Sequence, residues 1–140
     1  MANYYATTRS NYFRVRDAEA FKAWCADLNL TFWTKEAGSD TYYAITSDTG
    51  DSCGWPSQRW EGDDDCGDYV EIDLHGELAN MLHPENVAVL FEIGSEKLRY
   101  LVGVATAVHP DGRLHSVNLA DIYEEARCAF PGVNVSEAHS

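Results

Sequence analysis

A dense group of carboxylates is the part of this sequence best able to do chemistry. Residues 36–77 contain twelve acidic residues and a single basic one, Arg59. Carboxylates in such number could bind a cation or present a strongly negative surface. We call nine of them the acidic belt: Asp48, Asp51, Glu61, Asp63, Asp64, Asp65, Asp68, Glu71 and Asp73.

Metal binding by this part of the chain finds little support in the residue spacing. The run Asp63–Asp68 is close to a calcium loop, but glycine stands at position 5 rather than 6, and the glutamate required at position 12 is absent. No CxxC or HxxxH pair suited to zinc occurs. We therefore expect neither a metal site nor a cofactor, with weak cation binding by the aspartate run left open.

Motifs for binding nucleotides are missing as well. The sequence contains no P-loop and no GxGxxG. Cys25 and Cys128 fall on the apolar faces of predicted helices, where burial would leave them unreactive. The expectation is a protein that is not an enzyme; a catalytic site dispersed along the chain stays open as an alternative.

The overall charge bears on whether the partner is a nucleic acid or a basic protein. The chain has 140 residues, 45% of them apolar, and a net charge of −13, of which −11 falls within residues 36–77. Direct nucleic-acid binding needs a basic patch and is not expected, whereas a basic protein partner is. The N-terminus shows no apolar signal region and the four cysteines are scattered, which favours the cytoplasm, without a membrane span.

The scaffold is organised around the longest apolar run, Val87–Val108. It predicts a hairpin of two buried strands, Val87–Ile93 and Leu98–Val108, because a polar turn and two glycines interrupt it. The first strand shows almost no alternation, so both of its faces should be covered. The expected core comprises Phe21, Trp24, Leu28, Val70, Ile72, Val89, Phe91, Leu101, Ile122 and Ala126.

Other elements follow from periodicity and from capping residues. Alternation predicts a strand over Asn11–Arg16, a hairpin of Leu30–Lys35 with Thr41–Thr46, and a strand over Asp68–Leu74. A helix after Asp17 presents Phe21, Trp24, Cys25 and Leu28, and a short helix spans Gly76–His83. The turn at His109–Gly112 leads into a strand over Arg113–Asn118, and Asn118 caps the last helix.

These elements predict an α+β fold with one domain over residues 1–130 and a frayed tail at 131–140. Its order is β-α-β-β, acidic loop, β-α-β-β-β-α, with about six or seven mostly antiparallel strands and helices on one face. The acidic loop, residues 47–67, has no periodicity. An open sheet leaves two edge strands, through which a homodimer could form.

The acidic loop and the strand that follows it supply the candidate binding residues. Trp55 and Trp60 either pin the loop to the core or serve, with Tyr69, as apolar anchors for a partner. Glu71 and Asp73 should share one strand face, about 7 Å apart. The acidic belt is then either a solvated surface or a contact surface whose potential complements a partner's.

Three segments resemble known proteins: Ser10–Phe21 (SNYFRVRDAEAF), Glu96–Gly103 (EKLRYLVG) and Ser116–Glu124 (SVNLADIYE). They are similar to segments of small acidic proteins carried by phages and other bacterial mobile elements, most of them without an assigned role. The resemblance implies a bacterial cytoplasm. By analogy with anti-CRISPR and anti-restriction proteins that mimic nucleic acids, it also implies an inhibitor of host defence.

Together, the charge and the resemblance predict a non-catalytic inhibitor whose acidic surface blocks the basic nucleic-acid-binding cleft of a bacterial defence complex. All nine carboxylates of the acidic belt, with Trp55, Trp60 and Tyr69, would form the contact. An immunity or antitoxin protein that neutralises a basic nuclease toxin uses the same physics and remains the alternative.

Overall fold

The computed structural model describes residues 4–47, 54–63, 66–96 and 100–136. Within them it confirms an α+β fold with antiparallel pairing. The strands are β1 (Tyr4–Ser10), β2 (Thr31–Ala37), β3 (Asp40–Thr46), β4 (Gln58–Asp63), β5 (Cys66–Glu71), β6 (Ala88–Glu96), β7 (Tyr100–Val108) and β8 (Leu114–Asn118). The helices are α1 (Ala18–Asp27), α2 (Leu74–Met81) and α3 (Asp121–Ala129).

These eight strands form three sheets rather than one. A four-stranded sheet has the order β1-β6-β7-β8, and β2–β3 and β4–β5 are separate hairpins. The predicted central hairpin is confirmed, since β6 pairs with β7 from Ala88 opposite Val108 to Glu96 opposite Tyr100. The four-stranded sheet ends in β1 and β8, and a homodimer through such an edge stays a prediction.

The core lies between one face of this sheet, the inner face, and helices α1 and α2 with the β2–β3 hairpin. The predicted amphipathic face of α1 is confirmed, with Phe21, Trp24 and Leu28 buried. Asp17 caps α1 as expected, its carboxylate accepting the amides of Glu19 and Ala20. Burial also raises the pKa of the Cys25 thiol to about 12, as suits a packed, unreactive cysteine.

Polar side chains join β1 to β3 where no sheet pairing does. Thr8 and Ser10 on the inner face of β1 are almost fully buried. The Ser10 hydroxyl accepts the amide of Ile45 at 2.8 Å, and the Thr8 hydroxyl accepts that of Ser47 at 2.9 Å. These bonds satisfy groups that would be costly to bury unpaired. They also bring β3 alongside β1.

The first predicted strand was wrong in its position. Asn11–Arg16 makes only isolated bridges, Phe13 with Tyr43 and Val15 with Leu82, and the strand lies earlier in the chain, at β1. The alternation over Asn11–Arg16 still predicted correctly that the side chain of Phe13 faces the core, since Phe13 is fully buried. A short extended connection therefore produced the same pattern as a strand.

The expected core was wrong on the outer face of the four-stranded sheet, where none of the described elements covers the strands fully. Phe91 is 42% and Leu101 63% exposed, so β6 is covered on one face and not on both. Val70 is exposed on β5, and Ile122 is exposed on α3, where no residue is buried. Cys128 is consequently exposed as well.

Helix α3 also begins differently from the prediction. Asn118 ends β8, and its side-chain oxygen accepts the amide of Ala120, the residue before the helix, at 2.9 Å. Leu119 then packs over Gly103 of β7, where any Cβ would overlap the Leu119 side chain. This contact places the chain leading into α3 on the outer face of the sheet.

Candidate partner-binding surface

The predicted acidic loop contains a strand and is not irregular throughout. β4 pairs with β5 from Gln58 opposite Glu71 to Asp63 opposite Cys66, and we call this β4–β5 unit the acidic hairpin. Gly62 has φ 119° and passes so close to Cys66 and Gly67 that a Cβ would lie 2.6 Å from their backbones. Both this backbone conformation and the close approach of the two strands require glycine at position 62.

Strand β5 of the acidic hairpin is exposed on both of its faces. Every residue of β5 is exposed, including Val70 at 42% and Tyr69 at 61%. A two-stranded hairpin in water is marginally stable by itself. The acidic hairpin therefore needs anchoring at its base.

Arg59 supplies this anchor. Its Nε lies 2.5 Å from Oδ2 of Asp27 at the end of α1, and its Nη2 lies 2.6 Å from Oε1 of Glu77 in α2. Glu77 also accepts the indole N–H of Trp24 at 2.9 Å. The hydrogen bond to Glu77, followed by the charges of Glu77 and Asp27, raises the pKa of the Arg59 guanidinium. The single base of residues 36–77 is thus used to tie the hairpin to two helices.

Three carboxylates of the hairpin gain no such relief from the described residues. The register places Glu61 directly opposite Asp68, and like charges in directly opposed positions are destabilising. Among the described residues, Glu61, Asp68 and Glu71 take part in no ion pair. The hairpin therefore displays uncompensated negative charge to the solvent.

Asp73 does not extend this row of charges, contrary to expectation. β5 ends at Glu71, and Asp73 is the N-cap of α2, its carboxylate accepting the amide of Gly76 at 3.1 Å. A carboxylate at a helix N-terminus is favourable. Asp73 therefore has a structural role, whatever else it contacts.

The predicted aromatic anchors differ in their surroundings. Trp55 is half-buried and packs against the core, and its indole N–H donates to the carbonyl of Phe91 at 3.2 Å, so the loop is pinned there. Tyr69 stands exposed on the hairpin, with Trp60 opposite it in the register. For Trp60 and Asp63 only the backbone is described. Four predicted site residues lie outside the described residues: Asp48, Asp51, Asp64 and Asp65.

A cleft at the foot of the acidic hairpin is a feature that the sequence interpretation missed. It encloses about 330 Å³ between the hairpin's flanks and the inner face of the sheet, and we call it the base cleft. Its lining residues are Trp55, Pro56, Ser57, Ile72, Asp73, Leu74, His75, Leu90, Glu92, Val104 and Thr106. One signal was available in the sequence, since Glu92 is the single charged residue of the apolar strand Val87–Ile93.

Comparisons with protein-family models, with curated proteins and with solved structures found no match. Among the described helices, none has both the length and the apolar character needed to cross a bilayer.

Proposed function

We propose that this protein is a non-catalytic inhibitor that uses its acidic hairpin to occupy the basic nucleic-acid-binding cleft of a bacterial defence complex, of the anti-CRISPR or anti-restriction type. The observation that carries the proposal is the cross-strand juxtaposition of Glu61 and Asp68, which form no ion pair with any base of the described residues. An arrangement that costs stability is expected to persist where the charges bind something.

The shape of the hairpin supports the same proposal. A ribbon whose strand β5 is exposed on both faces can enter a groove, and its carboxylates would meet the Lys and Arg residues that normally contact phosphates. Tyr69, 61% exposed beside these charges, offers the apolar contact that such interfaces concentrate at their centre. An acidic surface of this kind also accelerates association with a basic partner.

Two alternative functions would depend on different parts of the molecule or on a different target. An immunity protein against a basic nuclease toxin would use the same hairpin, so only the identity of the target separates it from a defence inhibitor. An enzyme with a dispersed site is favoured by a different observation, namely that Asp73, His75 and Glu92 line one cleft. Its activity would depend on the base cleft and not on the hairpin charges.

The test is displacement of DNA from purified restriction endonucleases and CRISPR effector complexes, followed by gel shift. The variant combines Glu61→Gln, Asp68→Asn and Glu71→Gln. Its matched control combines Glu36→Gln, Glu124→Gln and Glu125→Gln, which removes the same charge from exposed positions elsewhere. We expect the wild type and the control to release DNA from a target, and the hairpin variant to fail.

Salt provides the second readout. Attraction between charged surfaces is screened over about 10 Å at 0.1 M ionic strength and about 3 Å at 1 M, so target binding should weaken steeply between low and high salt. A hairpin variant as active as the wild type, or binding indifferent to salt, contradicts the proposal. Rescue of cells that express a basic nuclease toxin, without effect on any defence complex, would instead identify an immunity protein.

A further inference from the structure

The base cleft has the size and the lining of a site for a single extended side chain. Its volume of about 330 Å³ lies at the lower end of the range of roughly 300–1,000 Å³ found for ligand pockets. Leu74, Leu90 and Val104 give it apolar walls, and the indole of Trp55 forms another. The cleft can therefore bury an alkyl chain.

Glu92 contributes an acidic group to this cleft from the face of β6 that also carries Leu90. Leu90, two residues earlier on the same face, is almost fully buried. The Glu92 carboxylate accepts the amide of Trp55 at 3.1 Å, and Gly54 has φ 107° and no room for a Cβ beside that carboxylate. The carboxylate is thus held in a fixed position within the cleft. A carboxylate offers about four acceptor sites, so it can accept hydrogen bonds from several donors at once.

A second carboxylate and the position of the cleft indicate which chemical group the cleft would bind. Asp73 lines the cleft together with Glu92, and the aromatic Trp55 belongs to the same lining. Guanidinium groups bind carboxylates and stack on aromatic faces, and the stem of an arginine lies readily along apolar surface. Ser57 and Ile72, which flank the two strands of the acidic hairpin, also line the cleft, so it adjoins the proposed contact surface.

We propose that the base cleft receives an arginine side chain of the basic protein partner, with the guanidinium at Glu92 and Trp55 and the stem against Leu90 and Val104. This proposal rests on the proposed function, since it names the group that the partner inserts beside the acidic hairpin. The hairpin then supplies the long-range attraction, and the base cleft supplies a specific contact.

The cleft can be tested without knowing the partner, by NMR titration with Nα-acetyl-argininamide. The Trp55 indole N–H is the reporter, and Nα-acetyl-citrullinamide, which has a neutral urea group in place of the guanidinium, is the control probe. We expect saturable shifts with the arginine probe and weaker binding, by about tenfold, in Glu92→Gln, since a charged hydrogen-bond acceptor is lost while the amide oxygen can still hold the Trp55 amide.

Glu36→Gln is the matched control variant for this titration. It removes an exposed carboxylate from β2, outside both the acidic belt and the cleft, so affinity for the arginine probe should stay unchanged. Equal binding of the two probes to the wild type overturns the proposal, and so does undiminished binding by Glu92→Gln. Because the comparison of probes uses the unmodified protein, it is decisive even if a variant folds poorly.

The partner assay separates this proposal from the proposed function. Release of DNA from the target should be weakened by Glu92→Gln as well as by the hairpin variant. If only the hairpin variant fails, while the arginine probe still binds at Glu92, the cleft takes a free small cation and the assignment to a partner side chain is overturned. If the hairpin variant keeps full activity while the arginine probe binds, the proposed function fails and the cleft's preference for guanidinium stands.

Discussion

The central hairpin β6–β7 and the acidic hairpin β4–β5 are built by the same backbone pairing and are stabilised by different means. The central hairpin lies inside a four-stranded sheet and buries one face, with Leu90 and Val108 in the core. The acidic hairpin exposes β5 on both faces and is tied down through Arg59. Burial of apolar area therefore stabilises the first, and ion pairs and hydrogen bonds at the base hold the second.

Each hairpin also carries a feature that folding alone does not require. In the central hairpin it is the outer face, where Phe91, Ile93 and Leu101 remain between 42% and 63% exposed. In the acidic hairpin it is the pair of facing carboxylates, Glu61 and Asp68. Substitutions can measure how far each hairpin depends on its own means of stabilisation.

The largest effect is expected in the central hairpin, from neighbouring residues on opposite faces of β6. Leu90→Ala should lower the free energy of unfolding by about 2–5 kcal/mol because Leu90 is only 2% exposed. Phe91→Ala should cost about 1–2 kcal/mol, since 42% of its surface already lies in water. Urea unfolding measures both losses.

A loss for Phe91→Ala as large as that for Leu90→Ala would show that the outer face is covered in solution. Repeating the unfolding at several protein concentrations identifies a second copy as the cover, because the stability of a dimer depends on concentration. A concentration-independent result with unequal losses supports the inner and outer faces as described.

An intermediate effect is expected at the base of the acidic hairpin. Arg59→Gln removes the ion pairs to Asp27 and Glu77 and should cost about 1–3 kcal/mol, since hydrogen bonds to charged groups are among the stronger ones. The loss should appear first as faster amide hydrogen exchange in β4 and β5, with β6 and β7 little affected. Arg113→Gln is the matched control, because Arg113 is 75% exposed and pairs with Asp111 within one turn. Unchanged exchange in β4 and β5 of Arg59→Gln would mean that the hairpin is held by other contacts.

The sequence predicted the elements whose side chains alternate in the expected way, and it missed those whose buried side chains are polar. Thr8 and Ser10 bury hydroxyl groups, so β1 shows no hydrophobic alternation. β4 has the sequence QRWEGD, and its charged residues and glycine leave no alternation of apolar and polar residues that would predict a strand. For helix α1, by contrast, the sequence predicted both the N-cap and the apolar face, and both are confirmed.

The sequence could not predict which apolar residues are exposed or which residues contact each other in the fold, and the reason is physical. Leu90 and Phe91 are equally apolar neighbours, and only the arrangement of other elements decides which of them meets the core. Among the candidate site residues, local charge density identified the belt. The pairing of Glu61 with Asp68 and the use of Arg59 by distant carboxylates depend on the register and on helix positions, which no local pattern specifies.

The smallest effect has the opposite sign and concerns the facing carboxylates of the acidic hairpin. Glu61→Gln should raise the free energy of unfolding by about 0.2–1 kcal/mol at low salt, because it removes a like-charge pair in directly opposed positions. Glu125→Gln on α3 is the matched control for general relief of charge on a protein with net charge −13. The difference between the two gains in unfolding free energy measures the repulsion between Glu61 and Asp68.

A double-mutant cycle isolates that pair, since residues in contact do not add. After Glu61→Gln, the further change Asp68→Asn should give less than it gives alone, and the difference should vanish near 1 M salt, where the screening length falls to about 3 Å. Additive gains would mean that the two carboxylates do not interact. If they do interact, and if the same substitutions abolish DNA displacement, then Glu61 and Asp68 oppose folding and favour binding. The acidic belt would then be a contact surface rather than a solvated one.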